Sequence, residues 1–574
     1  MPDYPSSAAD RLFTIGLDYG SLSCRGILTD VRSGAILAEE TFVYPHGVMD
    51  ASLPDGTPLL PGWHLQHPSD YLDALQAVIP ALVKKSGVSP GQIVGIGTDA
   101  TASTVIPVDE NMQPLCLNPD FAPHPHAWPK MWKHHAACSQ AEKLTAISRE
   151  QRRPYLDRYG GAVSSECLIS KVIETFECDR TVYDAAYAFM ELADWIPSQL
   201  AGAPIFSTAL ASAKAFYDIK SGYPDGDFFA AVHPDLEHLP EDKLIGRFPH
   251  HVLTHPCNHA GGLSRHMAEA LGLCAGTVVT PGHMDAYTPM AALGIDKPGV
   301  MMMIMGTSTG IMLLGDEGRP VSGVTASLPD TFFPGLWGYA SGQASVGDGL
   351  QWFADHCVPG KYERAAESEG LTVQQYLTKL AQRLSPGETG LICLDWINGN
   401  KSCLGNPRLS GMFLGLNLQT TPEQIYRAMV EGTAFGARMI AEAYRAAGVA
   451  VNEIRACGGI AGKNPLMMQI YADVMGMPIS VSRCTQVPAL GAAIYAAAAA
   501  GEKTGYPSIF AAMEAMAERE FTVYMPDERR HAAYETLYRE YRTLHDYFGC
   551  GENRVMERLY AQRTQGGILN HQKY

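Results

Sequence analysis

The chain has 574 residues, too many for a single hydrophobic core, and this length predicts two large domains. Hydrophobic residues make up 46% and charged residues 18%, a balance typical of globular proteins and not of disordered ones. The chain has 43 Lys and Arg residues and 60 Asp and Glu residues, so its formal net charge is −17. No run of basic residues forms a local positive segment. This charge disfavours nucleic acids and anionic membranes as partners.

The 13 cysteines are scattered, odd in number and without a CxxC pair. This pattern indicates free thiols in a reducing compartment and disfavours disulfides or a zinc site. The N-terminus lacks the basic and apolar pattern of a signal peptide, and no apolar run reaches the ~20 residues needed to span a bilayer. The nearest run, residues 489–500, is rich in alanine and predicts a packed helix. We therefore expect a cytoplasmic protein.

The first elements are predicted in the order β-β-β-α-β. Three segments of strand length open the chain, an apolar one at residues 13–18 and two more at 25–31 and 35–44. Joined by two short turns, they predict an antiparallel meander. Ser69 is the predicted N-cap of a helix that ends near Gly87, with a kink at Pro80, and a buried strand follows at 93–97. A plain doubly wound protein would begin β-α-β instead.

The second half partly repeats this opening. An apolar strand at 300–305 enters a turn of small residues and returns at 311–314, and a later strand at 454–457 precedes a helix at 464–474. The repeat predicts two similar domains, residues 1–296 and 297–574. The first carries an insertion at about 113–259, rich in Pro, His and aromatic residues, where we expect substrate specificity to lie. Beyond Tyr524 the chain is charged and is predicted to be a peripheral helical tail.

The first hairpin offers a phosphate-binding turn. Gly20, Ser21 and Ser23 are small enough to let backbone N–H groups approach an anion, and Arg25 adds a positive charge. Asp18 ends the strand beside the turn, where a carboxylate could hold a hydrated Mg²⁺. An ordinary β-turn is the alternative explanation, and for this segment alone it is the commoner one.

A second turn offers the same chemistry. Gly306, Thr307 and Ser308 follow a fully apolar strand, so this turn lies at the end of a buried element. Two such turns in one chain favour nucleotide binding over solvent turns.

A third segment follows the strand at 454–457. Gly458 and Gly459 would let a base or ribose lie against bare backbone, and Lys463 and Asn464 would add polar contacts at a helix start. A plain β-α turn, with Asn464 as helix start, is the alternative.

Ten short passages occur in the order found in a known family. They are residues 16–21 (GLDYGS), 95–104 (GIGTDATAST), 132–137 (WKHHAA), 164–166 (SSE), 193–195 (ADW), 212–215 (SAKA), 341–348 (SGQASVGD), 395–399 (DWING), 432–437 (GTAFGA) and 457–464 (CGGIAGKN). From about residue 13 to about 500 the chain resembles the FGGY carbohydrate kinases, and among them the L-ribulokinases. The resemblance implies an α/β protein with two actin-like (ribonuclease H-like) ATPase domains flanking a cleft, and it implies ATP and Mg²⁺ as cofactors.

The resemblance also implies roles for single residues. Asp285 corresponds to the aspartate that deprotonates the sugar hydroxyl, a role that a rigid strand end suits. Ala102 and Lys214 correspond to sugar contacts, and Thr98 and Asp99 lie close to Ala102 in sequence. From the residues alone, Asp285 could equally cap a helix and Lys214 could form a surface ion pair.

One departure concerns the substrate, because Ala340 stands where ribulokinases typically have a glutamate. A site that lacks this acceptor should discriminate less between sugar hydroxyls. The favoured function is phosphorylation of L-ribulose to L-ribulose 5-phosphate in arabinose breakdown, with D-ribulose, D-xylulose or a polyol as the alternative. A non-catalytic sugar-binding regulator is the remote alternative, and the presence of both Asp18 and Asp285 argues against it. A homodimer is the candidate assembly, and substrate contacts of Glu166 and Lys171 are left open.

Overall fold

The computed structural model describes residues 11–153 and 155–571. The N-terminal residues in which we found no signal pattern lie largely outside this range. The chain forms two compact units: a first unit of residues 1–296, 328–338 and 486–519, and a second unit of residues 297–327, 339–485 and 520–574. That residues 1–296 and 297–574 form two separate domains stays a prediction. Among the described helices, none is both long enough and apolar enough to cross a membrane.

The strands are numbered in chain order. They are β1 (Phe13–Tyr19), β2 (Ser23–Asp30), β3 (Ile36–Val43), β4 (Ile93–Ala100), β5 (Val105–Val108), β6 (Ala188–Glu191), β7 (Ile205–Ser207), β8 (Val252–Thr254), β9 (Gly261–Gly262), β10 (Val278–Val279), β11 (His283–Met284), β12 (Gly299–Met305), β13 (Thr309–Gly315), β14 (Ala326–Pro329), β15 (Trp337–Gln343), β16 (Ile392–Leu394), β17 (Met412–Leu414), β18 (Val451–Cys457), β19 (Ile479–Ser482) and β20 (Phe521–Tyr524).

The α-helices follow the same convention. They are α1 (Pro68–Ser86), α2 (Cys138–Glu150), α3 (Tyr155–Arg158), α4 (Leu168–Cys178), α5 (Arg180–Ala185), α6 (Leu192–Ala201), α7 (Thr208–Lys214), α8 (Gly226–Ala230), α9 (Leu239–Lys243), α10 (Arg265–Leu271), α11 (Pro289–Ala292), α12 (Gly347–His356), α13 (Gly360–Ser368), α14 (Val373–Ala381), α15 (Pro422–Ala446), α16 (Gly459–Lys463), α17 (Pro465–Met475), α18 (Val487–Ala499), α19 (Gly501–Thr504), α20 (Ile509–Met516), α21 (Glu528–Gly549) and α22 (Val555–His571).

Each unit is built on a mixed sheet. The first sheet has the order β3-β2-β1-β4-β10-β9, and β11 also pairs with β4. Its meander β1-β2-β3 is antiparallel, whereas β4 runs parallel to β1, so the predicted β-β-β-α-β opening is confirmed. The second sheet has the order β14-β15-β13-β12-β18-β19-β20. In it β12 pairs with β13 antiparallel and with β18 parallel, which repeats the arrangement of β1, β2 and β4.

Helix α1 begins two residues earlier than the sequence pattern predicted. Its N-cap is His67, whose ring nitrogen Nδ1 accepts the N–H of Ser69 at 3.3 Å, so the prediction of Ser69 as N-cap is wrong. The physical reason is Pro68, whose fixed φ suits the first helical position and whose missing N–H costs nothing there. The helix ends at Gly87 in the left-handed conformation, as predicted, and Pro80 lies inside it.

The alanine-rich run packs as a helix against the first sheet. A Cβ atom added to Gly16 would lie 1.8 Å from the carbonyl oxygen of Ala489, and one added to Gly97 would lie 2.0 Å from that of Ala492. The sheet and α18 therefore approach each other at backbone contact distance, which only glycine permits. The predicted packed helix is confirmed, and it belongs to the first unit although it follows most of the second in sequence.

The C-terminal segment is helical, as predicted, but α21 is not peripheral. Tyr534, Tyr541 and His545 are buried in the second unit. The hydroxyl of Tyr534 donates to Glu431 at 3.0 Å and accepts from Arg427 at 2.7 Å. The inner face of this helix carries a tyrosine stripe, and some of its charged residues also pair with the second unit, as Arg530 does with the buried Asp473 at 2.6 Å.

Candidate active site

Three carboxyl groups meet at one edge of the first sheet. Asp18 lies near the end of β1 and is directly opposite Asp99 in the parallel pairing of β1 with β4. Asp285 follows β11, and its N–H donates to the carbonyl of Ala100 at 3.0 Å. Because parallel strands place their carboxyl ends on the same edge, the fold brings together three residues that are far apart in sequence.

This crowding changes the pKa values of the three groups. Burial raises the pKa of Asp99 well above its ordinary value, and the charges of Asp18 and Asp285 raise it further. Burial and the charge of Asp18 raise the pKa of Asp285 to about 7, while the N–H of Ala286 and the charge of Lys214 act in the opposite direction. A carboxyl group that titrates near neutral pH suits a general base.

Helix capping does not account for Asp285. The helix that follows, α11, begins at Pro289 and has Thr288 as its N-cap. Thr288 has a different role, since its hydroxyl donates to Oδ2 of Asp99 at 2.9 Å and holds that carboxyl group in place. Sequence reasoning missed Thr288, because a lone threonine carries no pattern that indicates a partner 189 residues away.

Lys214 lies at the end of α7 in a largely buried ion pair. Its Nζ is 3.8 Å from Oε2 of Glu166, and the two side chains are 18% and 16% exposed. Burial lowers the pKa of Lys214, but the nearby acidic groups, Glu166 foremost among them, together outweigh burial, and the net direction is upward. Lys214 also lines a small cavity beside Glu191. The ion pair considered in the sequence is present, but it is not a surface pair.

The turn after β4 carries Ala102, and a buried lysine of the insertion bonds to its backbone. Ser103 has a positive φ of 65°, an uncommon conformation for a residue other than glycine, and Lys171 donates to its carbonyl oxygen. Lys171 is fully buried, so its described bonds give it a structural role in the insertion.

Thr98 precedes Asp99 in β4, and the two side chains point to opposite faces of the sheet. Sugar contacts of Ala102, Thr98, Asp99 and Lys214 stay predictions.

The first predicted phosphate turn is a tight hairpin between β1 and β2. The N–H of Gly20 donates to the carbonyl of Ser23 at 2.9 Å, and the guanidinium of Arg25 lies 3.8 Å from Asp18. Arg25 thus compensates the charge of Asp18 and opposes the rise that burial causes in its pKa. Two further residues, absent from the predicted site, contact Ser21: Gln66 and Trp132.

The second unit places its two predicted nucleotide segments side by side. Ile304 and Cys457 are paired in the parallel register of β12 and β18, so the turn of Gly306, Thr307 and Ser308 lies at the same edge as Gly458 and Gly459. Gly458 has a φ of 99°, and a Cβ atom there would lie 2.4 Å from the carbonyl oxygen of Met305. Only glycine fits this position. The N–H of Val346 donates to the carbonyl of Thr307 at 3.0 Å and fixes the turn.

Asn464 acts as a helix cap. Its side chain accepts the N–H of Met467 at 3.1 Å at the start of α17, which is the alternative that the sequence left open. Lys463 ends the short helix α16 beside it. Nucleotide contacts of both residues stay predictions.

Two mixed sheets of like topology, each with a glycine-containing hairpin at the carboxyl edge of its first parallel strand, define a two-domain α/β protein of the actin-like ATPase class. Comparison with family models agrees: residues 13–294 match the N-terminal domain and residues 301–500 the C-terminal domain of the FGGY family of carbohydrate kinases. The chain belongs to this family and is an ATP-dependent carbohydrate kinase.

Relatives and solved structures are similar over nearly the whole chain. A protein of Shouchella clausii (strain KSM-K16) described as ribulokinase is 44% identical over 564 residues, which cover 98% of this chain and 100% of that protein. A ribulokinase of Bacillus licheniformis is 45% identical over 540 residues, covering 94% and 97%. The crystal structure of gluconate kinase from Lactobacillus acidophilus has a TM-score of 0.76 at 18% identity and covers 94% of this chain and 99% of its own. It supports the fold alone.

Proposed function

We propose that this kinase transfers the γ-phosphoryl group of ATP to the terminal hydroxyl of L-ribulose, and so forms L-ribulose 5-phosphate and ADP in arabinose breakdown. The observation that carries the chemistry is the position of Asp285, which follows β11 at the sheet edge shared with Asp18 and Asp99 and is held by its N–H bond to Ala100; burial there raises its pKa to about 7. The choice of ribulose is supported by relatives of 43–45% identity that are described as ribulokinases and that this chain matches almost end to end.

In the proposed reaction Asp285 accepts the proton of the sugar hydroxyl as its oxygen forms a bond to the γ-phosphorus. The bond between that phosphorus and the bridging oxygen breaks, and ADP leaves with the electron pair. Lys214 would donate a hydrogen bond to another sugar hydroxyl and so orient the ketose. Such a reaction needs little covalent work from the protein, because positioning and charge compensation dominate phosphoryl transfer.

Asp18 and Asp99 are suited to hold a magnesium ion. Both are buried carboxyl groups at the same sheet edge, and Oδ1 of Asp99 has no hydrogen-bond partner among the described residues. Oxygen donors of this kind are the ligands that Mg²⁺ prefers. When bound, the ion would neutralise phosphate charge, and Gly20, Ser21 and Ser23 would bind phosphate oxygens from the first unit.

Ala340, which stands where ribulokinases typically have a glutamate, leaves other ketopentoses as alternative substrates. It is buried on β15, and its methyl group accepts no hydrogen bond. Loss of a single acceptor weakens discrimination between hydroxyl configurations. D-Ribulose and D-xylulose are therefore the substrates against which L-ribulose must be compared.

The test is ADP release by the full chain with MgATP and a panel of L-ribulose, D-ribulose, D-xylulose and ribitol. We expect the highest kcat/KM with L-ribulose. A higher kcat/KM with D-ribulose or D-xylulose would replace the substrate but keep the kinase. Absence of turnover with every sugar, in a protein that still binds MgADP, would instead support the sugar-binding regulator.

A further inference from the structure

Ser21, in the turn between β1 and β2, is held by two side chains from distant parts of the first unit. The indole Nε1–H of Trp132 donates to Oγ of Ser21 at 3.1 Å. The side-chain amide Nε2 of Gln66 donates to the backbone carbonyl of Ser21 at 2.9 Å. Hairpin turns are commonly stabilised by their own backbone hydrogen bonds. Two hydrogen bonds from distant side chains to one turn residue therefore indicate that the position of Ser21 matters.

The chemistry of the two donors defines what Ser21 can do. An indole N–H can only donate, so the hydroxyl oxygen of Ser21 must accept from Trp132 and its own hydrogen stays available for another acceptor. The amide of Gln66 is oriented in turn, because its Oε1 accepts the hydroxyl of Tyr71 at 2.9 Å. Gln66 and Tyr71 are buried, which fixes this arrangement. Ser21 is thereby presented as a hydrogen-bond donor, the role that an anionic oxygen requires.

The segment that carries Trp132 is itself anchored near the turn of Ala102. Lys171 donates to the carbonyl of Met131 at 2.8 Å and also to that of Ser103. Lys130 donates to Glu174 at 2.7 Å inside the same buried region. Residues 130–132 therefore link the turn after β4 to the turn after β1 through a rigid network.

We propose that Trp132 and Gln66 are positioning residues that orient the hydroxyl of Ser21 toward a phosphate oxygen of the nucleotide. The proposal rests on the proposed function, in which this turn binds phosphate. It also assigns a role to Trp132 in the passage at 132–137, which acts on the nucleotide through Ser21.

The test compares W132F, S21A and the double variant in the full-length protein. Phe keeps the ring but lacks the N–H, so we expect the KM for MgATP and the dissociation constant of MgADP to rise about 3- to 10-fold, the usual range for one hydrogen bond. The KM for the sugar should stay within about 2-fold of its original value. S21A should weaken nucleotide binding to a similar extent, and adding W132F to S21A should weaken it no further, because both changes remove the same contact.

Trp128 provides the matched control. Its Nε1–H donates to the carbonyl of Ala122 at 2.9 Å, so W128F removes the same kind of bond four residues away without touching the turn. Equal MgADP affinities of W132F and W128F, with turnover retained, would overturn the proposal and leave the proposed function intact. Unchanged affinity in S21A would overturn it even if W132F failed to fold. Loss of turnover with every sugar in the unmodified protein would refute the proposed function instead.

Discussion

At the residue scale, the chemistry depends on Asp285 and on the groups that set its pKa. Asp18 and Lys214 act on it in opposite directions, and burial acts with Asp18. The resulting carboxyl group is a better base near neutral pH than an ordinary exposed aspartate, yet it is still ionised often enough to accept a proton.

The substitution D285N tests this role directly. The amide keeps the size of the side chain but cannot accept the proton, so we expect kcat to fall by about 10²- to 10⁴-fold. Sugar binding, measured by calorimetry, should change little. D316N, at an exposed aspartate of the second unit, is the control and should keep full activity. Normal turnover in D285N would refute the assignment.

The pKa of Asp285 also predicts a pH profile. A base works in its deprotonated form, so a pKa raised to about 7 means that activity is lost as the pH falls below about 7. We expect kcat/KM for the sugar to be level above this pH and to drop about tenfold for each pH unit below it. Steady-state rates between about pH 5.5 and 8.5 would measure the profile. A flat profile down to the lowest pH would contradict it.

At the element scale, α18 and the first sheet approach each other so closely that no side chain fits between them. Gly16 and Gly97 meet helix carbonyl oxygens at distances that exclude a side chain. These glycines lie in the passages at 16–21 and 95–104 that carried the family resemblance, within the strands predicted at 13–18 and 93–97. The structure adds a packing reason for them.

We expect G16A to lower the free energy of unfolding by about 1–3 kcal/mol or more, because the methyl group would push α18 away from β1. Urea denaturation followed by circular dichroism would measure the change. The control is G91A, since a Cβ atom at Gly91 meets nothing within 4 Å. Equal stabilities of the two variants would show that the sheet and helix can separate without cost.

At the scale of the whole molecule, neither unit is continuous in sequence. After the chain has formed most of the second unit, residues 486–519 return to the first unit, and residues 520–574 belong to the second. Strand β20 pairs with β19 at the edge of the second sheet, and α21 packs its tyrosines against the same unit. The C-terminal segment is therefore part of the second unit's core.

Y534F tests this integration. The hydroxyl group of Tyr534 bonds to both Arg427 and Glu431 in a buried site, so its removal leaves charged groups with one partner fewer. We expect a loss of about 1–3 kcal/mol in the free energy of unfolding, measured by denaturant titration. Y547F, at an exposed tyrosine of the same helix, should lie within about 0.5 kcal/mol of the original protein. A neutral Y534F would indicate that the tail is only loosely attached.

The sequence alone determined the two hairpins, their order, and the carboxylates and glycines at the strand ends, because these features are local and follow from strand periodicity and turn chemistry. Together with the family passages they located Asp18, Asp285 and the phosphate turns. Only the tertiary structure decided which sheet the alanine-rich helix covers, that Trp132 and Gln66 contact Ser21, and that Asp285 titrates near neutral pH. Such facts depend on desolvation and on proximity between residues far apart in the chain, and no local pattern encodes either.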